Sequence, residues 1–452
     1  MTATMDIAAF FGGLRATRHE LHAHPEVSFQ EFKTQERLEA YLVNESRIPK
    51  DNITRVATTG LVVDIHGPTD GDKTTSLTCI AFRADMDGLP MTEANPRLPY
   101  KSTAVQCAHM CGHDGHMATL LGFATLVQSH RHLLPPHTTV RLLFQPAEEG
   151  HFGAPAMIQD GCLDGVDEIY GYHNIPYPVG EIRVKAGPMM SHSARFSIKI
   201  RGPGGHGSAP HQTQDPIVAA GHIIVAMQSI LSRNVAAHDS GVLSITQVHG
   251  GEADNVIPSV VTLSGTLRDF SPAVSALMQK RMAEIVEHTS KAYNVEGAIS
   301  FKDGYPVVVN ASAQADIVTK VAQKVVGSAK VTADGLPLCA SEDFAYYLQT
   351  IPGCFYFVGT NDTAQSQNRS VHSDTVGLLA AMRDHVLTTC CWLCSTTSTT
   401  IFCPSLCACL SRSCNIASTA RCFPTTNCKR GRNKGWPHRL KLLVDKLRQR
   451  ET

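Results

Sequence analysis

No sign of charge predominates in this chain: 40 lysines and arginines stand against 40 aspartates and glutamates in 452 residues. Without a net basic surface, binding nucleic acid or an acidic partner is not the expected role. The N-terminus, MTATMDIAAFFGGLRATRHE, lacks a basic stretch followed by an apolar run, so no secretory signal is read and the cytoplasm is the expected compartment. Cysteines in that reducing setting are read as thiols or metal ligands before disulfides. They are sparse through most of the chain, six before residue 360, and then crowd into the tail, nine from Cys390 to Cys428. No internal repeat stands out. What the chain does have is the material of a globular protein, 43% hydrophobic and 18% charged residues, over a length exceeding one ordinary domain. It also has 22 histidines, several of them beside carboxylates and cysteines.

The hydrophobic pattern predicts an α/β chain. Residues 1–45 read as helix, amphipathic through Leu14, His22 and Phe32. Apolar runs at 60–66, 77–83 and 139–144 have the length and flanks of buried strands in a parallel sheet. Between the last two lies MATLLGFATLVQ, a helical pattern starting directly after a histidine cluster. Strand alternating with helix predicts a layered, mostly parallel sheet with ligands at the C-terminal ends of its strands. From residue 188 the pattern changes: ARFSIKIRG and VVTLSGTLRDF alternate like half-exposed strands, while PIVAAGHIIVAMQSIL and VSALMQKRMAEIVEHTSKAY read as amphipathic helices. The strand–helix–strand–strand–helix order of this region predicts an α+β sandwich at residues 188–300 inserted into a larger domain formed by residues 1–187 and 301–387.

Three motifs carry chemistry. In CAHMCGHDGHMA, Cys111 and His113 flank Gly112, and a thiolate and an imidazole so placed can face one ion from a strand-to-helix turn. The competing reading is a polar turn with Asp114 as the helix cap. In LLFQPAEEG an apolar strand leads to adjacent carboxylates, Glu148 and Glu149, which point in different directions, so one can bind metal while the other faces substrate as a base. Amide hydrolysis needs that division, because a metal lowers the pKa of water and a carboxylate takes its proton; an acidic helix start is the alternative. In RADMDGLPMTE, Asp85 and Asp87 alternate at a strand end, either orienting a ligating histidine or forming a plain turn. His173 in YGYHNIP and His372 in SVHSD complete a possible set.

The motifs RHELHAHPE, RADMDGLP, CGHDGHMA, QPAEEG, GGHGSAPH, NVIP, GTLRDF and SEDF, spread over about residues 10–373, resemble the aminoacylase/hippurate hydrolase branch of the M20 metallopeptidases. That branch includes the plant indoleacetyl-amino acid hydrolases. The resemblance implies that Cys111, His113, Glu149, His173 and His372 hold two divalent ions, zinc or manganese, with Glu148 as general base. It implies that His206 reaches the active site of a partner subunit, and that Asn255 and Arg268 bind substrate. The inserted sandwich is then a lid and dimerisation domain of a homodimer acting on a small N-acyl amino acid. Two departures are visible. Pro203 stands where relatives often carry lysine, and His372 is followed by SDTVGLLAAMRDHVL in place of an aromatic and an Asn-Asp-Glu stretch.

Two further functions compete with the acyl-amino acid reading: an aminopeptidase or dipeptidase on the same fold, and a non-enzymatic binding module. Dipeptidase relatives usually present a His-x-Asp pair where this chain has Asp85-Met-Asp87, so Cys111-Gly-His113 favours acyl-amino acids. A binding module that has lost catalysis is disfavoured because Glu148 and all five candidate ligands are present. Residues 388–452 are expected to lie outside the fold as a disordered tail. Eight of the thirteen residues from Thr388 to Thr400 are Ser or Thr, the spacing after Cys391-Trp-Leu-Cys394 offers no second CxxC, and Pro404 breaks the uncharged stretch that a membrane anchor would need.

Overall fold

The computed structural model describes residues 6–69, 78–95 and 97–361; His372 and the tail from residue 388 lie outside the described residues. The apolar, β-branched runs assemble into an eight-stranded sheet. Its order in space is Ile53–Val56, Gly60–His66, Thr138–Gln145, Thr78–Asp85, Glu168–Pro178, Gly353–Asn361, Ile182–Arg183 and Val331–Thr332. Thr78–Asp85 runs parallel to both neighbours, and Glu168–Pro178 runs parallel to Gly353–Asn361. The sheet is mixed, however. Gly60–His66 pairs antiparallel with Thr138–Gln145 because it enters as one arm of a hairpin with Ile53–Val56. An apolar run reports burial on both faces and not strand direction, so the sequence could not distinguish the two.

Helices cover both faces. Leu14, Leu21, Leu38, Leu42 and Met117 pack with Val318 on one side, and Ala154, Met157, Phe344 and Tyr347 pack on the other. The expected single N-terminal helix is two, Ile7–Ala23 and Phe32–Asn44. Asp6 caps the first by accepting from the backbone N–H of Ala8 and Ala9 at 3.0 and 3.2 Å. His24 precedes Pro25 and is driven out of the α region, which ends it. Leu14 and His22 are buried as the amphipathic pattern requires, whereas Phe32 is exposed.

The second sheet is antiparallel, with Gly241–His249, Val260–Asp269, His192–Arg201 and Glu296–Asp303 side by side. Its core residues Phe196, Ile198, Leu263 and Leu267 meet Ile223, Met278 and Met282 of the helices Pro216–Met227 and Pro272–Ala292. The sequence pattern shows three of these four strands. EGAISFKD is an edge strand whose outward positions are polar, and its two apolar residues, Ile299 and Phe301, are too few to register as a strand. The opposite face of this sheet looks onto a cleft shared with the larger sheet.

Candidate metal centre and active site

The strand Thr78–Asp85 and the helix His113–Ser129 bring the first motif residues together. Gly112 is the N-cap of that helix, at φ +88° and with no side-chain cap. A Cβ there would meet Asn174 Nδ2 at 2.4 Å, so both the left-handed backbone and the close approach require glycine. Asp114 is not the cap. It is buried against Arg18 Nε at 2.8 Å and His22 Nδ1 at 3.0 Å, tying the helix to the N-terminal helix.

Cys111, His113 and Glu149 place Sγ, a ring nitrogen and a carboxylate oxygen within 4.8 Å of one another. His173 Nε2 lies 3.3 Å from Cys111 Sγ. Both histidines face a backbone carbonyl through Nδ1, His113 at 2.9 Å from Asp87 O and His173 at 2.6 Å from Asn174 O. A carbonyl only accepts, so each Nδ1 carries a proton; against burial, Asp85 and Asp87 hold His113 well above the ordinary histidine range, while His173 Nε2 presents its lone pair to Cys111. His113 Nε2 and Glu149 Oε1 are buried with no hydrogen-bond partner. Burial pushes the Cys111 thiol up to about 11, against the pull of His113, and pushes His173 down to about 3. A neutral imidazole at His173, a thiol that ionises only beside a cation, and two buried polar atoms without a partner form a set that fits divalent metal, which would take the place of the His113 Nε2 proton.

Glu148 lies beside this set, buried in a second group with Glu342 and Asp343. Arg83 is the cation paired with it among the described residues, fully buried, at 2.7 Å from Asp85, 3.0 Å from Glu342 and 3.0 Å from Asp343. Burial first, then Glu342, Asp343 and Glu149, hold the Glu148 carboxyl well above the usual carboxylate range. Its proton affinity is therefore raised towards what a proton acceptor needs. Asp87 fixes the turn. Its carboxylate accepts from the backbone N–H of Glu148 at 3.1 Å and of Glu149 at 3.0 Å, and from Ser28 Oγ at 2.7 Å. Tyr305 adds a hydroxyl that donates to Glu148 O and accepts from the backbone N–H of Gly150.

Cys111, Glu148, Glu149, His173 and Arg268 all line one open cleft of about 570 Å³, a size suited to a small molecule. His113 sits beneath it, buried. His206 and Asn255 do not line it. They meet on an exposed two-stranded ribbon, where Val256 pairs with His206 and the Gly207 N–H donates to Asn255 O at 2.7 Å. His206 Nδ1 accepts from the Ser208 N–H at 3.1 Å, which leaves the proton on Nε2 facing outward.

Four residues in the site had no role in the sequence reading: His116, Glu342, Asp343 and Tyr305. His116 looks like a ligand by type and neighbourhood. Its Nδ1 lies 2.6 Å from Asp85 Oδ1, though, and its Nε2 accepts from the Asn174 N–H at 3.1 Å, so both nitrogens are occupied. The SEDF motif that contains Glu342 and Asp343 was a visible signal, but the Arg83 partnership that uses it spans some 260 residues. Nothing local marks Tyr305.

Comparison with known proteins agrees with this geometry. Residues 81–388 match Peptidase family M20/M25/M40. The chain is 39% identical over 346 residues to an N-acetyl-L-cysteine deacetylase of Bacillus subtilis, covering 76% of this chain and 79% of that one. It is 35% identical over 369 residues to an IAA-amino acid hydrolase of Arabidopsis thaliana, covering 80% and 81%. Among solved structures, a dinuclear metal-binding M20 peptidase of Bacillus subtilis matches with a TM-score of 0.69 at 33% identity, covering 84% of this chain and 98% of its own. With its cysteine, histidines and paired glutamates converging on one cleft, this chain belongs to Peptidase family M20/M25/M40.

Proposed function

We propose that the chain is an amidohydrolase that splits N-acyl amino acids or amino-acid conjugates using two divalent ions, zinc or manganese. The observation that carries this reading is the orphaned donor set of Cys111, His113 and Glu149, with His173 against it and the proton-avid Glu148 beside it in a small-molecule cleft. His372 is the remaining expected ligand. The bound ions supply Lewis acidity, which polarises the amide carbonyl and acidifies water. Glu148 takes the proton as water adds to the carbonyl carbon, and it passes that proton to the amide nitrogen as the C–N bond breaks, releasing a carboxylic acid and a free amine. Arg268 holds the substrate's carboxylate from the other wall of the cleft.

His206 acts across a homodimer in this reading, its outward Nε2–H polarising the carbonyl in the partner subunit. The exposed apolar residues Ile217, Val218 and Val225 on the helix Pro216–Met227 support an interface on the inserted domain. All six cysteines of the described residues are free, which supports a cytoplasmic, reducing compartment. The deciding experiment compares Glu148→Gln with Glu149→Gln. The first should keep its metal while kcat falls by about two orders of magnitude or more, and the second should lose metal. Equal metal loss in the two variants overturns the assignment.

A further inference from the structure

The cleft-facing side of the four-stranded sheet carries three cations. Along His192–Arg201, Ala194 and Phe196 point into the core, so Ser193 and Arg195 point the other way. Arg268 lies opposite Ser193 on the neighbouring strand, and Lys302 lies directly opposite Arg195 on the edge strand. Arg195, Arg268 and Lys302 all line the same cleft as Glu148 and His173. Among the described residues none of the three forms an ion pair. Of the acids on these strands, Asp269 is engaged by His192 at 2.7 Å, and Asp303, next to Lys302 in sequence, is exposed in the cleft and lies 3.9 Å from His192. Like charges facing each other across a strand pair repel, and Arg195 faces both Lys302 in register and Arg268 through its field. A bound anion would relieve that repulsion.

One α-carboxylate needs one such cation, and Arg268, half-buried, is placed to serve it. We infer that Arg195 and Lys302 bind a second anionic group, so that the cleft selects N-acyl amino acids with an acidic side chain. This rests on the amidohydrolase reading for the substrate's scaffold, and the test separates the two. N-acetyl-L-glutamate and N-acetyl-L-glutamine have the same shape and differ by one charge. The metal-loaded full chain should hydrolyse the glutamate compound with a kcat/KM about tenfold or more above the glutamine compound. The double variant Arg195→Ala, Lys302→Ala should bring that ratio down about tenfold. In calorimetry on Glu148→Gln protein, the same preference should appear in binding, weaken in added salt, and vanish when the double substitution is introduced. Equal efficiency and equal affinity for the two compounds, or a double variant that weakens both by one factor, overturns the acidic subsite. Hydrolysis of both without preference leaves the amidohydrolase standing alone. Charge-dependent binding without hydrolysis of either leaves the subsite standing and removes the amidohydrolase reading.

Discussion

Gly112 shows how much one residue decides. Cys111 and His113 were legible as a ligand pair from their spacing, and glycine between them was legible as a tight turn. The need for glycine is stronger than the turn alone requires, because the missing Cβ is the space taken by Asn174. Gly112→Ala should cost about 2 kcal/mol or more in stability, from the left-handed backbone and the clash together. It should also weaken metal binding by displacing Cys111 and His113. Denaturant midpoints and metal titration measure both effects, and an alanine variant with wild-type values would contradict the geometry. Asp87 shows the opposite limit. As one of two acids in a strand-end motif it was equally readable as a turn residue. Only the fold brings the backbone N–H groups of Glu148 and Glu149 onto its carboxylate and so makes it the clamp that sets those two side chains apart.

At the scale of elements, Glu31 links three of them. It sits at the start of the helix Phe32–Asn44, accepts from Thr59 Oγ1 at 2.5 Å in the hairpin turn, and accepts from the Ala147 N–H at 2.9 Å beside Glu148. Burial outweighs those hydrogen bonds and raises its carboxyl from 4.5 to about 7. The folded state thus holds the proton more tightly than the unfolded chain does. The stability this gives is complete below about pH 4.5 and is lost as pH rises towards 7. The size is of the order of 3 kcal/mol. Glu31→Gln should flatten the fall in stability between pH 5 and 7 relative to wild type, as read by urea unfolding at each pH; parallel curves would rule it out. None of this is visible in HPEVSFQEF, because the partners of Glu31 come from two other segments. The edge strand Glu296–Asp303 is a second case. Its alternation is too polar to announce a strand, yet its register is what sets Lys302 against Arg195.

The whole molecule raises two questions of assembly. If His206 acts across a dimer, mixing His206→Ala subunits with Glu148→Gln subunits should restore part of the activity, since one of the two sites in each heterodimer is then intact. No recovery in verified heterodimers places His206 in its own subunit or outside the reaction. The family match ends at residue 388, where the Ser/Thr-rich stretch begins. A chain ending at Leu387 should therefore keep its metal and its turnover, and loss of either would make the tail structural. The sequence by itself determined the layered α/β frame and the inserted α+β domain, and it marked the cysteine, histidine and glutamate side chains that gather at the cleft. These depend on periodicity and on residue types crowded within a few positions. Tertiary structure alone decided the strand directions, the occupation of both nitrogens of His116, and the Arg83 group with Glu342 and Asp343 beside Glu148. It alone decided, too, the row of cations that shares a cleft with Glu148. Each of these is a contact between segments far apart in the chain, where local pattern carries no information about which partner the fold will supply.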